Sequence, residues 1–563
     1  MTTSIEARRE SLRQCFPVWR PRTLAGWLDF CAERYENRPL VLADDARLSY
    51  ADVAAESRRL ADGLAALGVR PGDRVGMIMA NYPQFVTVKF AIARVGAIAV
   101  PANFLYRQDE LRYVLADSGC RVVVSMTGFR GLDYQSMLDG IMPGWDSPTP
   151  DSPWSVVLLD TDGQARPACL TVGGLAALGD ENRGTRDGLA VDPDSAGDML
   201  YTSGTTGSPK GVLVTHDAVL RTAYASALTR AYEDGRRILF SLPCYHMFGY
   251  IEGLLSVMFV GGAIIPQTMF SAKSYFAGIE RHRASDILCV PTMAVAMVES
   301  PARERYDLGS LNAILCGSAP APIWLWRQIE KDLGVSEIVT GYGMTEAGGA
   351  MTLTRPEDPL HLTSETVGKP KMAGAASVPG SDALVVYKAV HPETAEDLPA
   401  GEEGELASSG PTAMLGYWNR SADTAATLRD GWLFSGDLGR VRADGYLQVT
   451  GRRKELYKSG GELVMPKEIE DLLAAHDEIS QVFAVGLVDD RWGEIGCVVV
   501  VPVPESMLTE DDVLDICRSK LARFKVPKRV VFYRPEDLPT TPTGKVQKYK
   551  LIEQLTSSRS GEK

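Results

Sequence analysis

The sequence predicts an α/β protein with two domains: a large N-terminal domain of parallel sheets with helical crossovers plus a β-rich subdomain, and a small α+β C-terminal domain. Apolar strands alternate with amphipathic helices over residues 24–130, and similar strands return between residues 237 and 344. Strands that are apolar on both faces and separated by helices are typical of parallel sheets covered by helices. After about residue 375 the pattern changes to short alternating strands joined by turns.

The elements of the large domain follow in order along the chain. We predict strands at VGMIMAN, AIAVPAN and RVVVSM, with helices YPQFVTVKFAIARVG and RQDELRYVLADSG between them. Further strands are predicted at RILFSLP, GAIIPQ, ASDILCVP, NAILCGSA and SEIVTGYGM, followed by GELASSG, GWLFSGDLG and GYLQVTG. Residues 143–194 are rich in Pro, Gly, Asp and Ser, so we expect a surface excursion there.

The domain boundary is expected near Arg452, which gives domains 1–452 and 453–563. Pro466 then begins the helix PKEIEDLLAAHD, at a position where its missing N–H costs nothing. The strands VFAVGLV, GCVVVVPVP and RVVFYRP and the helix TEDDVLDICRSKLARF complete a small α+β unit.

Composition excludes several classes of protein. A chain of 563 residues is too long for one ordinary domain, and 45% apolar with 23% charged residues is typical of a globular enzyme. The formal charge of −13 and the lack of a sustained basic run argue against nucleic acid as a partner. The charged start is no secretory signal, and the apolar runs are too short or interrupted for an integral membrane segment. Nine dispersed cysteines without CxxC pairs indicate reduced thiols and a cytoplasmic location.

The stretch YTSGTTGSPKGV (201–212) combines three glycines, several hydroxyl residues and one lysine. Its spacing does not fit the Walker loop, because Lys210 follows a proline and precedes a glycine. Glycines let the backbone approach an anion closely, and N–H groups and hydroxyls can line a triphosphate. A plain Gly/Ser loop is the alternative for this stretch taken alone.

Five motifs in sequence order favour the phosphate-binding interpretation over a plain Gly/Ser loop. They are YTSGTTGSPKGV, GYGMTE (341–346), GWLFSGDLG (431–439), GRRKELYKSGGE (451–462) and PTTPTGKVQK (539–548). Together with YHMFG and WGE, they closely resemble the adenylate-forming superfamily of acyl-CoA synthetases, peptide-synthetase adenylation domains and beetle luciferases. The acyl-CoA ligase branch, and within it the medium-chain fatty acyl-CoA ligases, is the most similar. The resemblance covers nearly the whole chain and implies stacked parallel sheets in the large domain and a mobile small domain.

The resemblance implies an ATP site that is drawn from all these motifs. Thr202 and Thr206 would be hydroxyl ligands of the β- and γ-phosphates, while Lys210 is a poor candidate for the catalytic lysine. Tyr342 would stack on adenine, and Thr345 would contact the α-phosphate. The implied nucleotide-binding set is Thr202, Ser203, Gly204, Thr205, Thr206, Gly207, Ser318, Ala319, Pro320, Gly341, Tyr342, Gly343, Thr345, Asp437, Arg452 and Lys545.

Within that set, Asp437 would accept both ribose hydroxyls, a task that suits a carboxylate, and Arg452 would add a second ribose contact. Glu346 would hold Mg²⁺, with Thr202 as the other metal contact. Taken alone, Asp437 would equally suit a turn beside a glycine, and an isolated Arg is usually a surface charge. Thr340 stands where the family usually has an amide residue, so any polar contact there is in doubt.

The resemblance also implies how the two half-reactions are divided. The catalytic residues would be Thr345, Glu346, His246 and Lys545, and Lys545 would be the mobile cation beside the transferring phosphoryl. The small domain would rotate about Lys454 and bring a coenzyme A tunnel to the adenylate. The tunnel residues would be Lys458, Ser459, Gly460 and Gly461, whose two glycines leave no side chain to block it.

The acyl pocket is expected around His246, Tyr250, Gly317, Gly341 and Gly348. SLPCYHMFGYI contains no acidic residue, and a buried ammonium without a carboxylate is costly, so an amino-acid substrate is disfavoured. The small residues after Glu346 and nearby Met and Val residues predict a roomy apolar slot. A medium-chain fatty acid fits such a slot, and an alicyclic or aromatic carboxylate would also fit.

The sequence therefore predicts an ATP-dependent acyl-CoA ligase that uses ATP, Mg²⁺ and coenzyme A. Its expected partners are a small carboxylic acid and coenzyme A, and a homodimer is left open. The nearest alternative is an acyl-AMP ligase that loads a separate carrier protein. A non-catalytic nucleotide sensor is a third class, which loss of Glu346, Asp437, Arg452 or Lys545 would have favoured.

Overall fold

The computed structural model describes residues 4–147, 154–185, 189–202, 209–319, 321–452, 455–459, 462–489, 493–521, 523–541, 544 and 546–557. Lys458 is described by its backbone alone. The predicted class is confirmed: parallel sheets with helices, a β-rich subdomain and a C-terminal domain follow one another along the chain. Within these ranges no helix has both the length and the apolar character that a membrane span requires.

The first large sheet has seven strands, six of them parallel, and an antiparallel strand at one edge. Its middle strands are buried apart from Arg237, which explains the apolar residues that follow the first position of each. In spatial order the strands are Glu337–Val339, Ala313–Cys316, Asp286–Cys289, Arg237–Phe240, Ala263–Pro266, Pro39–Leu42 and Arg47–Ser49.

The second large sheet also has seven strands, and at one edge the strand Lys210–Thr215 pairs antiparallel with both of its neighbours. Its strands in spatial order are Gly416–Tyr417, Lys210–Thr215, Ala196–Thr202, Ile98–Pro101, Arg74–Ile78, Val122–Met126 and Ser155–Leu159. The last strand corrects our expectation for residues 143–194. Ser155–Leu159 pairs parallel with Val122–Met126, and helix Val172–Glu181 packs against Tyr50–Ala66, because Gly63 and Gly179 permit close backbone approach.

Helices cover these sheets and share one continuous apolar core with them. Their starts follow local capping chemistry: the side chain of Thr215 accepts from the Ala218 N–H, and Ser49 with Asp52 forms a capping box. The helices of this part are Ile5–Cys15, Leu24–Tyr35, Tyr50–Ala66, Pro83–Arg94, Gln108–Ser118, Tyr134–Ile141, Val172–Glu181, His216–Thr229, Ala272–His282, Pro291–Val298, Ile323–Leu333, Leu360–Glu365 and Ser421–Thr427. A π-helix spans Phe248–Leu255, and short 3₁₀ turns span Met258–Val260, Pro301–Arg305, Thr345–Ala347 and Gly374–Ala376.

The β-rich part follows the large sheets. A three-stranded antiparallel sheet contains Gly341–Met344, Gly349–Leu353 and Lys369–Pro370. A five-stranded antiparallel sheet contains Val386–Val390, Gly404–Ser409, Leu428–Arg429, Trp432–Val441 and Leu447–Arg452. A separate hairpin pairs Gly128–Phe129 with Leu132–Asp133.

The C-terminal part has its own sheet and two apolar clusters of its own. Its strands are Glu462–Val464, Tyr457–Ser459, Gly493–Pro502, Ile479–Asp489 and Arg529–Phe532. Its helices are Pro466–Ala474, Glu510–Lys520 and Lys548–Ser557, with a 3₁₀ turn at Pro535–Asp537. Pro466 occupies the first helical turn, as the sequence indicated. The division into domains 1–452 and 453–563 stays a prediction.

Candidate active site

Asp437 is the centre of the polar cluster expected to bind ribose. The Tyr342 hydroxyl donates to Asp437 Oδ2 at 2.5 Å, and Arg452 Nε lies 3.0 Å from Oδ1. Asp437 and Arg452 are cross-strand partners in the five-stranded sheet, so the backbone register itself brings them together. Burial, together with the neighbouring Asp437 carboxylate, raises the pKa of Tyr342 well above its usual value. The motif glycine Gly436 takes a φ of 72° just before this carboxylate.

These contacts leave Asp437 able to accept more hydrogen bonds. Each carboxylate oxygen carries two lone pairs, and the two described partners use one on each oxygen. Burial is the largest single influence on Arg452 and lowers its pKa, but the Asp437 and Glu455 charges, Tyr342 and the Asp437 hydrogen bond together outweigh it, so the net pKa is raised. Two free acceptor positions beside a guanidinium suit a vicinal diol such as ribose.

Replacing Asp437 with asparagine is expected to raise the KM for ATP by about tenfold to a hundredfold. The change removes the acceptor charge that holds Tyr342 and Arg452, and hydrogen bonds to charged groups contribute about 1.5–3 kcal/mol. ATP-dependent pyrophosphate release, measured over a range of ATP concentrations, checks this. The exposed carboxylate Asp444 in the next turn provides the matched control as Asp444→Asn, which should leave the KM unchanged. An unchanged KM in the Asp437 variant would remove this residue from the ribose site.

Thr345 and Glu346 follow on a short 3₁₀ turn at the end of strand Gly341–Met344. The Tyr417 hydroxyl donates to Glu346 Oε1 at 2.9 Å, and the Glu346 carboxyl is buried. Burial is the largest influence on this carboxyl and raises its pKa. Gly348 ends the turn with a φ of 81°, and a Cβ there would lie 2.6 Å from the Thr412 carbonyl oxygen.

Two paired strands flank the glycine-rich stretch. Thr202 ends strand Ala196–Thr202 and is the cross-strand partner of Lys210. Lys210 Nζ lies 3.0 Å from Asp423 and 5.0 Å from the centre of the Tyr417 ring, so its charge already has partners. Five predicted loop ligands lie outside the described residues: Ser203, Gly204, Thr205, Thr206 and Gly207.

Gly317 of the predicted acyl pocket directly precedes Ser318, Ala319 and Pro320 of the implied nucleotide-binding set. A Cβ atom on Gly317 would lie 3.7 Å from the Phe248 ring and 3.8 Å from the Gly341 carbonyl oxygen. Ser318, with a φ of 72°, and Ala319 follow as exposed residues, and Pro320 lies outside the described residues. Phe248 was missed by our reading of the sequence, because only its π-helix directs the ring at Gly317.

Two further glycines of the nucleotide motif accept no side chain. A Cβ on Gly341 would lie 2.4 Å from the Thr352 carbonyl oxygen, and one on Gly343 would lie 2.0 Å from the Gly349 carbonyl oxygen. The GYG pattern therefore lets two strands pack tightly behind the Tyr342 ring. Thr340, the departure from the family pattern, is buried, and its N–H donates to Thr354 Oγ1 at 2.9 Å.

His246 lies just before the π-helix, and Tyr250 lies on it. His246 is partly exposed and its Nδ1 accepts the Phe248 N–H at 3.2 Å, whereas Tyr250 is fully buried. The Tyr250 hydroxyl donates to Asp198 Oδ2 at 3.1 Å. The structure thus brings a carboxylate to this segment from a distant strand. Lys89 Nζ lies 2.8 Å from Asp198 Oδ1, so this acid already has a cation.

The C-terminal motif PTTPTGKVQK contacts the large domain. A Cβ on Gly544 would lie 2.6 Å from Val290 Cγ2 and 3.4 Å from Thr292 Oγ1. Val290 is adjacent to Cys289, whose carbonyl accepts the Gly317 N–H. Gly544 therefore packs on the same sheet edge as the predicted acyl wall. Lys545 itself lies outside the described residues.

The predicted hinge and tunnel are described only in part. Ser459 is buried in strand Tyr457–Ser459, while Lys454, Gly460 and Gly461 lie outside the described residues. Near the hinge, the ammonium of Lys548 lies 2.9 Å from Glu455 and 2.8 Å from Glu470. Sequence reasoning missed this pairing, because nothing in local spacing connects residues so far apart.

Comparison with known proteins assigns the chain to a family. The family model described as AMP-binding enzyme matches residues 28–418, and the model of the AMP-binding enzyme C-terminal domain matches residues 468–545. The chain belongs to the AMP-binding enzyme family. This confirms the resemblance to the adenylate-forming superfamily and the prediction that the protein is an enzyme of the acyl-CoA synthetase class.

The names of similar proteins specify different acids. A feruloyl-CoA synthase from Amycolatopsis sp is 35% identical over 89% of this chain and 92% of its own. The mitochondrial medium-chain acyl-CoA ligase ACSF2 from Danio rerio is 31% identical over 93% of this chain and 87% of its own. The crystal structure of ATP-bound MatB from Rhodopseudomonas palustris superposes with a TM-score of 0.81 at 26% identity, over 94% of this chain and 98% of that one.

Proposed function

We propose that the protein is an ATP-dependent acyl-CoA ligase for a medium-chain fatty acid. A carboxylate oxygen attacks the α-phosphorus of ATP, the bond to the bridging oxygen breaks, and pyrophosphate leaves with that electron pair. The thiol sulfur of coenzyme A then attacks the acyl carbon, loses its proton, and AMP leaves. The observation that carries the proposal is the Tyr342–Asp437–Arg452 cluster, with its two free acceptor positions for a ribose diol.

Each half of the nucleotide has a proposed partner in this chain. Asp437 and Arg452 bind the ribose, and the Tyr342 ring stacks on adenine with its orientation fixed by the Asp437 contact. Thr345 contacts the α-phosphate. Lys545 supplies a cation to the phosphoryl group as charge develops there. Gly544 supports this role, because it packs beside the wall that contains Gly317.

The residues fit a Mg²⁺ ion that is shared with the phosphates of ATP. Glu346 is a buried carboxyl whose described neighbour at hydrogen-bond distance is the neutral Tyr417 hydroxyl, and burial disfavours its charged form. No group of three or more potential metal ligands occurs in the part of the chain that the structure describes. One carboxylate, the Thr202 hydroxyl and substrate phosphates form the sparse set that Mg²⁺ prefers. When bound, the ion would neutralise charge on the phosphates.

The acyl class follows from the walls of the site. Gly317 and Gly349 present no side chains, and Phe248, Met247 and Ile251 surround them with apolar surface. Such a wall accepts an aliphatic chain without a polar partner. The likeness to ACSF2 supports a medium-chain acid. The likeness to a feruloyl-CoA synthase, together with the flat Phe248 ring, supports an aromatic acid as the second candidate.

The proposal is tested by pyrophosphate release with a panel of straight-chain, alicyclic and aromatic acids, each with and without coenzyme A. We expect turnover that requires coenzyme A and peaks at an acid of about eight to twelve carbons. A peak at hydroxycinnamic acids would transfer the assignment to an aromatic acid. Adenylate that accumulates without coenzyme A-dependent turnover would favour a carrier-protein acceptor instead.

Replacing Gly461 with leucine is expected to block thioester formation and leave adenylate formation within about twofold of the original rate. A side chain at this proposed tunnel position would fill the space that pantetheine needs. Both half-reactions are measured separately, by pyrophosphate release in a single turnover and by acyl-CoA formation from supplied acyl-AMP. The variant Gly461→Ala is the graded control. Undiminished acyl-CoA yield from the leucine variant would place the tunnel elsewhere.

A further inference from the structure

The π-helix Phe248–Leu255 is the least ordinary element beside the proposed acyl pocket. At its end the Ser256 N–H donates to the Ile251 carbonyl, five residues back. Helices of this type are rare and usually as short as a single turn, and they occur frequently at functional sites. An eight-residue example needs something that holds it in this register.

Two polar side chains project from this otherwise apolar helix, whose sequence is FGYIEGLL. Both Tyr250 and Glu252 are 1% exposed, and each contacts a lysine that is itself fully buried. Buried charges are rare unless they are paired, and this short helix contributes Glu252 to one buried pair and contacts a second pair, Lys89–Asp198, through Tyr250.

The first contact joins the helix to the second large sheet. The Tyr250 hydroxyl donates to Asp198 Oδ2, and the Lys89 ammonium lies 2.8 Å from Asp198 Oδ1 and 5.1 Å from the centre of the Tyr250 ring. Asp198 belongs to strand Ala196–Thr202, which leads into the glycine-rich loop. This contact therefore connects the acyl wall with the phosphate side of the site.

The second contact joins the helix to its other neighbours. The Lys371 ammonium donates to Glu252 Oε1 at 2.7 Å and to Ser226 Oγ at 2.5 Å. Ser226 lies on helix His216–Thr229 and also donates to Glu252 Oε1, at 2.9 Å. Burial lowers the pKa of Lys371, and the Glu252 charge opposes that effect.

The remaining side chains of the helix face the proposed pocket and the sheet. Phe248 lies against Gly317, and Ile251 Cδ1 would lie 3.1 Å from a Cβ on Gly349. Gly249 and Gly253 face the preceding strand and loop, where a Cβ would lie 2.5 Å from the Leu242 carbonyl oxygen and 2.6 Å from the Phe240 ring, respectively. A change from π to α register would rotate these side chains relative to one another and move Phe248 and Ile251 away from the two pocket glycines.

We propose that two buried clusters, Lys89–Asp198–Tyr250 and Lys371–Glu252–Ser226, hold this helix in its π register and thereby set the width of the acyl pocket. The six residues are positioning residues, since they act through Phe248 and Ile251. The inference about pocket width rests on the proposed function, whereas the inference about register does not.

The first test is acid selectivity in the variants Lys371→Met and Tyr250→Phe. We expect the ratio of kcat/KM for octanoate to kcat/KM for cinnamate to change at least fivefold, with the KM for ATP within twofold of the original. The control is Arg94→Met, because Arg94 is also a buried cation and its described partners, Asp29 and Ser57, lie on other helices. A ratio that changes no more than in this control would overturn the proposal.

A double variant separates positioning from stability. Lys371→Met alone leaves the Glu252 carboxylate buried without its cation, so the urea midpoint should fall; Glu252→Leu with Lys371→Met removes both charges and should restore most of it. The acid ratio should stay altered in the double variant, since no polar contact holds the helix there. If the acid ratio recovered together with the urea midpoint, the Lys371–Glu252–Ser226 cluster would stabilise the protein without setting the pocket width.

Hydrogen exchange keeps the register inference testable if the wild-type protein activates no acid at all. We expect the backbone amides of residues 248–255 to exchange at least tenfold faster in Lys371→Met than in Arg94→Met. Failure of the proposed function would appear as absent turnover in the wild type, with this difference intact. Equal exchange in the two variants would overturn the register inference whatever the activity.

Discussion

Replacing Lys545 with alanine is expected to lower the rate of adenylate formation by about 10²–10³-fold or more. Loss of one preorganised group that stabilises transition-state charge costs this much in other enzymes. Acyl-CoA formation from supplied acyl-AMP should stay within about twofold, because the proposed rotation about Lys454 removes this lysine before the second step. Single-turnover assays of the two half-reactions measure both rates.

The exposed Lys550 offers a matched control in the same C-terminal segment. Lys550→Ala removes one positive charge at a distance of five positions and should change neither half-reaction. If Lys545→Ala slowed both half-reactions equally, the hypothesis that the small domain takes a different orientation for each half-reaction would be wrong. If it slowed neither, the catalytic cation would have to be sought elsewhere, although Lys210 already pairs with Asp423.

Replacing Glu346 with glutamine is the second change with a large expected effect. The side chain keeps its shape and can still accept from the Tyr417 hydroxyl, but it loses the charge that Mg²⁺ requires. We expect adenylate formation to fall by about 10²–10³-fold and the Mg²⁺ concentration for half-maximal rate to rise. Titration of pyrophosphate release with MgCl₂ at fixed ATP measures both effects.

Tyr417→Phe is the control for Glu346, because it removes the hydrogen bond and keeps the carboxylate. Its Mg²⁺ dependence should stay close to that of the original protein, with a loss of less than tenfold in rate. Binding of AMP, measured by calorimetry without Mg²⁺, should be unchanged in Glu346→Gln. A Mg²⁺ titration that the glutamine variant leaves unmoved would separate this residue from the metal.

Much of the fold could be predicted from local pattern alone. Apolar segments such as Val122–Met126 are buried on both faces, and this property requires a covered parallel sheet. Short alternating strands with turns likewise predicted the β-rich subdomain, and the structure places these segments in a five-stranded antiparallel sheet. The expectation for residues 143–194 was wrong because composition does not show that Ser155–Leu159 completes the edge of a sheet, a pairing made with a distant strand.

The candidate site, like the fold, could be predicted only in part from the sequence. The motifs GYGMTE and GWLFSGDLG, through their resemblance to the family, predicted which side chains would carry chemistry: Tyr342, Glu346 and Asp437. The sequence did not determine their partners. Tyr417 reaches Glu346 across 71 positions, and Tyr342 reaches Asp437 across 95. Such contacts depend on how sheets pack together, and no local period encodes that packing.

Only the tertiary structure decided how the wall of the proposed acyl pocket is built. FGYIEGLL is an apolar segment with two polar residues, and local propensity alone predicts an ordinary buried α-helix for it. Its π register is apparent only in the folded chain, where Lys371 meets Glu252 across 119 positions and Lys89 pairs with Asp198. The physical reason is that a buried charge must find its counter-charge, and the backbone takes the register that allows both contacts at once.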